Sequence, residues 1–386
     1  MLEKFEKVTI NKSKDLNSKD IGMTPETSIL MSDGSVKNIE NVEIGDCVIT
    51  HKGTIKKIIK KNVIEHNGLL NMFKIGNGLP LTTTYLNPFL KINLTSKNSN
   101  VSRTLLSGKY NYKISLPEEL KEKDILCSPV INNIIYSEIN ENKARLLGLW
   151  AAEGSVHGNE VIFSFGKNEE HTLAKLALDL IKKEWGIVSK IKVAHSKAEI
   201  IFSNKNVRIF FEKHVGKGSF TKKLSKEIVF GSNDIKISFL TGWLEGDGGI
   251  DKYSGKICGV TVSPHLASQT VTMLNSLCIN NTLKKKNPKT SILKSGRKII
   301  GRHPVFEVVI PYNECNVFIN KSNEFNNFQG KVKFVKILRF IDNYRMYKIL
   351  DKKSISYNGL VYSLEVEDEN SYVANNIIIH NLENIC

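Results

Sequence analysis

Short segments in which apolar and polar positions alternate fill the first third of the chain, and they return only near its end. Residues 24–31 carry such a run, Asp33-Gly34 supplies a hairpin turn, and further strand patterns fall at 36–39, 47–50, 55–64, 69–75 and 89–93. Period-2 alternation punctuated by Gly, Asn and Pro predicts antiparallel strands. The segment 116–126 closes this region, and strand patterns reappear at 361–366 and 371–379. Between them the period lengthens to that of helices. The reading is a multidomain chain: an all-β domain at 22–133 and 351–386, split by an inserted α+β domain at 134–350. Residues 1–21, polar and turn-rich, read as a short arm.

Inside the insert the pattern runs twice. Leu146-Leu147-Gly148-Leu149-Trp150-Ala151-Ala152-Glu153-Gly154 has a near-copy in Leu240-Thr241-Gly242-Trp243-Leu244-Glu245-Gly246-Asp247-Gly248. Strands at 161–165, a helix with Leu173, Leu176, Leu180 and Ile181 on one face, strands at 191–194 and 199–202 and a helix at 205–213 follow Glu153. Strands at 257–262, a helix at 266–278, strands at 282–285 and 305–310 and a helix near 313–320 follow Asp247. Internal repetition at this spacing predicts two α-β-β-α-β-β-α modules, 134–235 and 236–350.

In both copies small residues recur at helical spacing, the condition for two helix backbones to approach closely. Gly154 and Gly248 read as left-handed residues ending each helix. Glu153 and Asp247 then sit at the negative end of the helix dipole, an unfavourable place. Repeating that cost at a shared seam points to a cation that offsets it. Hard divalent ions such as Mg²⁺ take oxygen ligands and serve phosphodiester hydrolysis.

Charge sharpens this picture. The chain of 386 residues carries a formal charge of +16. Residues 141–350 hold 34 Lys and Arg against 18 Asp and Glu, so the whole excess lies in the insert. A segment-confined basic excess is the footprint expected of phosphate-backbone binding. Six scattered cysteines with no C-x-x-C pair argue against a zinc site or a disulfide framework. No membrane-length apolar run and no secretory signal are present, so an intracellular place, nucleus or nucleoid, is expected.

The paired motifs resemble the signatures of the LAGLIDADG homing endonucleases over residues 140–345, and the flanking β segments resemble the Hint (intein) splicing domain over 22–133 and 355–381. The resemblance implies a monomeric, pseudo-two-fold, Mg²⁺-dependent enzyme that cuts both strands of a long, roughly pseudo-palindromic duplex DNA. Glu153 and Asp247 would each bind Mg²⁺ and cut one strand, with the backbone carbonyls of Ala152 and Gly246 completing the shell. Glu153 stands where the family often has aspartate. Lys222-Lys223-Leu224-Ser225 resembles the family's K-x-I-P segment, which makes Lys222 a candidate basic residue near the scissile phosphate. Its second-half counterpart is Lys331 or Lys333.

The splicing blocks are degenerate by the same comparison. Gly22 occupies the place of the starting cysteine and has no nucleophile. Thr84-Tyr85-Leu86-Asn87 resembles the T-x-x-H block with Asn87 for the histidine, and an amide cannot shuttle a proton near neutrality. His380-Asn381 keeps the pair that would release a downstream segment, but Leu382 follows where a nucleophile is required. The expectation is a free-standing endonuclease descended from an intein. The alternatives are a residual autoprocessing element cleaving after Asn381, and a nuclease-dead DNA- or RNA-binding relic.

Overall fold

The computed structural model describes residues 21–96, 100–288, 290–292, 298–322, 325 and 338–381. The chain divides into two compact units. One comprises residues 1–131 and 335–386, the other residues 132–334.

The first unit is built on antiparallel strands. Its longest elements, Ile55–Ile75 and Tyr344–Val366, pair with each other from Ile58 opposite Val366 to Ile75 opposite Ile349. The sequence pattern breaks the first of these at Asn67-Gly68. The strand nonetheless runs through, because Asn67 and Gly68 pair with Asn358 and Tyr357. A continuous partner outweighs local turn preference here. Tyr344 to Lys348 pair with Ile125–Pro129, so these residues belong to the first unit. The boundaries therefore fall after 131 and after 334, not after 133 and 350, since strand pairing decides them. One short helix, Val101–Leu106, interrupts the β pattern, capped by the Asn100 side chain on the Arg103 amide. Met23, Ile29, Val48, Phe73, Phe89, Leu126, Tyr347 and Ile379 contribute to one buried core.

The second unit has mixed α/β structure in two similar halves. In the first half the helix Glu141–Glu153 is followed by the strands Gly154–His157 and Glu160–Gly166. The helix Lys175–Trp185, the strands Ile191–Ala194 and Lys197–Ser203, and the helix Lys205–Val215 complete it. The second half repeats this order from the helix Asn233–Gly246 through Gly248–Ile250, Ile257–Thr261, the helix Pro264–Ser276, Thr282–Lys286 and Val305–Ile310. It adds a hairpin, Thr290–Ile292 with Lys298–Ile300, and among the described residues is followed by the short helix Asn316–Ile319. Each half holds one four-stranded antiparallel sheet. Alternation buries Val161, Phe163 and Phe165 beside Ala198, Ile200 and Phe202 in one sheet, and Phe306, Val308 and Ile310 in the other. No helix among the described residues is long and apolar enough to cross a membrane.

Candidate active site at the helix seam

The two repeated motifs form the helices Glu141–Glu153 and Asn233–Gly246, which pack against each other inside the second unit. Asn140 caps the first by accepting from the Lys143 amide at 2.9 Å, and Ser232 caps the second. Glu141 and Asp234 place negative charge in the first turns, where the dipole favours it.

Backbone approach, not backbone conformation, explains the seam glycines. A Cβ on Gly148 would lie 2.7 Å from the Trp243 amide nitrogen and 3.0 Å from the Gly242 Cα, besides colliding with the Phe239 carbonyl. One on Gly242 would meet the Arg145 carbonyl, and one on Gly246 the Ala152 Cβ. Gly154 and Gly248 correct the left-handed expectation. Gly154 is extended (φ −87°, ψ 140°), and Gly248 is not among the glycines with positive φ. Gly154 is required because a side chain would run into Trp150, and Gly248 because one would run into the Leu244 carbonyl. Farther down the seam a buried ion pair joins the helices, Arg145 to Glu245 at 2.5 Å.

The seam brings the predicted carboxylates together. Glu153 ends the first helix, and its Oε1 lies 3.5 Å from where a Gly246 Cβ would be. Asp247 follows directly as the cap of the second, its amide donating to the Trp243 carbonyl at 2.9 Å. Burial pushes the Glu153 carboxyl up to about 7, helped by the charges of Asp247 and Glu169 and opposed by Lys222. Burial likewise pushes Asp247 up to about 6 against the pull of Lys222. Carboxyls raised this far by burial mark a place where their charged form lacks water.

Lys222 joins them. It is buried, its ammonium donates to the Ala151 carbonyl at 2.5 Å, and burial lowers its pKa while Asp247 and Glu153 oppose that shift. Ala152 and Gly246 face each other across the end of the seam. Lys331 and Lys333 lie outside the described residues. Sequence reasoning missed Glu169, whose carboxylate accepts from the Gly166 amide at 2.6 Å and whose field reaches Glu153. Its position in the polar run Lys167-Asn168-Glu169-Glu170 gave no signal. Among the described residues no three His, Cys, Asp or Glu converge as a ready metal cage. The two carboxylates still offer the hard oxygen donors that a divalent cation takes, a cation that fills the rest of its shell with waters and phosphate oxygens.

The residues singled out by the splicing resemblance also meet, in the first unit. Gly22 donates its N–H to Thr84 Oγ1 at 2.9 Å. The Gly22 carbonyl accepts from the Asn87 amide at 2.9 Å, from the Thr84 N–H at 2.9 Å and from Thr83 Oγ1 at 3.2 Å. Asn87 also donates to Thr84 Oγ1 at 2.9 Å. His380 and Asn381 line the same cavity as Asn87, along with Ile21, Ser363 and Tyr372. Burial brings His380 down to about 3, so its imidazole is neutral, and its ring lies 4.9 Å from that of His51. Leu382 lies outside the described residues.

A family model described as a LAGLIDADG-like domain matches residues 140–214 and 234–328, so the chain contains a LAGLIDADG-like domain. Among curated proteins it is similar to the ATP-dependent DNA helicase Hel308 of Thermococcus kodakarensis, 26% identical over 93% of this chain and 36% of that protein. An uncharacterised protein of Methanocaldococcus jannaschii is 24% identical over 92% of this chain and 50% of its own length. The DNA polymerase of the same organism is 24% identical over 95% and 23%. The chain thus spans about half or less of the length of these relatives. Among solved structures it is similar to mesophilic variants of the homing endonuclease I-DmoI, with 17% identity and a TM-score of 0.34 over 47% of this chain and 90% of that one. It is also similar to the N-terminal LAGLIDADG domain of DUF199/WhiA, with 17% identity and a TM-score of 0.32 over 49% and 85%.

Proposed function

We propose that the chain is a site-specific double-strand DNA endonuclease, dependent on a divalent cation for which Mg²⁺ is the natural candidate. The observation that carries this reading is the meeting of Glu153 and Asp247 from two equivalent helix ends, within the field of the buried Lys222. Each carboxylate, once ionised, supplies a hard oxygen donor, and the Ala152 and Gly246 carbonyls complete the donor set. A divalent cation bound there would polarise the phosphodiester and lower the pKa of a hydrolytic water. Lys222 places a cation where charge develops on the scissile phosphate. The basic excess confined to residues 141–350 supports a polyanionic substrate.

The relatives support a transferable unit. One stretch is shared with proteins named as a helicase and as a DNA polymerase, and it covers 93% and 95% of this chain. A segment common to proteins of such different names is more economically tied to its own activity than to theirs. The first unit then serves as a Hint-like scaffold whose splicing is lost at Gly22, Asn87 and Leu382. Supporting this, the Gly22 peptide group is held as a structural hub with no thiol or hydroxyl of its own.

Glu153→Gln and Asp247→Asn, each assayed with Mg²⁺, test the reading. Both are expected to lose cleavage by at least about a thousandfold, on the scale of losing a group that stabilises transition-state charge, while DNA affinity is retained. Full cleavage by either variant would count decisively against it.

A further inference from the structure

Lys222 lies on an extended segment that both halves of the second unit hold by its backbone. On one side the first half supplies the partners: Lys223 donates to the Val215 carbonyl at 2.9 Å and Ser225 to the His214 carbonyl at 3.0 Å. On the other side the second half supplies partners. Ser263 donates its hydroxyl to the Lys222 carbonyl at 2.6 Å and also accepts from the Leu266 amide at the start of the helix Pro264–Ser276. Gln269, one turn and a half further along that helix, grips Leu224 twice. Its Oε1 accepts from the Leu224 N–H at 2.7 Å, and its Nε2 donates to the Leu224 carbonyl at 2.8 Å. Ser263 and Gln269 are fully buried.

A side-chain amide that reads both polar groups of one peptide residue acts as a substitute strand, and it fixes translation along the segment as well as distance from it. The fixed residue is two positions from Lys222, and Ser263 fixes Lys222 itself. We infer that Gln269, with Ser263, is the positioning residue for Lys222, so that the second half of the fold sets where the first half's catalytic ammonium stands relative to both carboxylates. This rests on the nuclease reading for its consequence in catalysis, but the positioning itself can be read without cleavage.

The test uses the full chain and two readouts. The first is acetylation of lysines by acetic anhydride, followed by peptide mass spectrometry, with exposed Lys223 as the internal reference. In the parent protein Lys222 reacts more slowly than Lys223. In Gln269→Met, which keeps the volume and loses both hydrogen bonds, the Lys222/Lys223 ratio is expected to rise at least about threefold through local opening of the segment. The second is single-turnover cleavage of a duplex recovered from a randomised library by the parent's own cutting. The rate at saturating DNA is expected to fall about a hundredfold on both strands, the effect of an ångström-scale misplacement, with affinity for that duplex unchanged. Gln269→Glu provides the rescue: protonated, it again offers one acceptor and one donor, so its cleavage relative to the parent recovers as pH falls. If Gln269→Met fails to fold, Ser263→Ala is read in the same way.

An unchanged labelling ratio in the folded variant overturns the inference, and so does a raised ratio with undiminished cleavage. A parent chain that cuts no DNA overturns the nuclease reading instead, and the labelling ratio still decides whether Gln269 fixes Lys222.

Discussion

Two carboxylates raised by burial set opposing demands on the metal-free protein. The Glu153 carboxyl titrates at about 7 in the fold against an ordinary 4.5, and Asp247 at about 6 against 3.8. A folded pKa above the unfolded one means that the fold prefers the protonated form. The stabilisation is complete below about pH 4 and is lost as pH rises through 6 and 7. Glu153→Gln removes that loss. Without metal it is expected to be more stable than the parent at pH 8 by about 1 kcal/mol after discounting for solvent screening, and indistinguishable near pH 4. Urea unfolding at the two pH values measures the difference, and equal stability at pH 8 would mean that the carboxylate is not strained. The same titration predicts that cleavage at limiting Mg²⁺ climbs between pH 6 and 7, because only ionised carboxylates offer oxygen ligands. The place of these two residues at the ends of paired helices was legible in the sequence, since each ends a motif that has a copy. Glu169, Ser263 and Gln269 were not. Glu169 reaches Glu153 through its field, and Ser263 and Gln269 hold the Lys222 segment from elsewhere in the chain; no local spacing encodes either.

At the scale of elements, the seam depends on missing side chains. Gly148→Ala would drive a methyl between the Phe239 carbonyl and the Trp243 amide, both backbone groups that cannot rotate away. Overpacking of this kind costs about 1–3 kcal/mol or more, and a thermal midpoint lowered by several degrees is the expected result. The sequence showed that these glycines matter, but it assigned Gly154 and Gly248 the wrong reason. Backbone conformation is a local property that a glycine after a helix suggests, whereas close approach depends on which helix lies opposite. The long pair Ile55–Ile75 and Tyr344–Val366 carries the same lesson, because its strands are continuous through partners almost 300 residues away. In the first unit Gly22 gives a second element-scale prediction. A Cβ there would lie 2.6 Å from both Cβ and Cγ2 of Val361. Gly22→Cys is therefore expected to lose about 1–3 kcal/mol of stability and to yield no peptide-bond rearrangement detectable by mass spectrometry, even though it restores a thiol. Cleavage near residue 22 in that variant would show that the Hint-like site keeps more of its chemistry than its hydrogen bonds imply.

At the scale of the molecule, the β unit and the basic unit divide the chain as their sequence periods do. The boundary near 334 escapes the sequence pattern, because it is set by pairing of Tyr344 to Lys348 with Ile125–Pro129. Most of the charge excess and both carboxylates share one unit, so binding and chemistry are expected to be separable from the β unit's remnants at Gly22, Asn87 and His380. The most direct measurement is to incubate the parent, Glu153→Gln and Asp247→Asn with a library of randomised duplex DNA and Mg²⁺, and to sequence the ends produced. The parent is expected to give double-strand ends that cluster on one sequence with a fixed stagger, and neither variant should give any above a chelated control. A parent that yields no such ends, or a variant that yields them as well as the parent, would contradict the assignment of the seam carboxylates as the cutting groups.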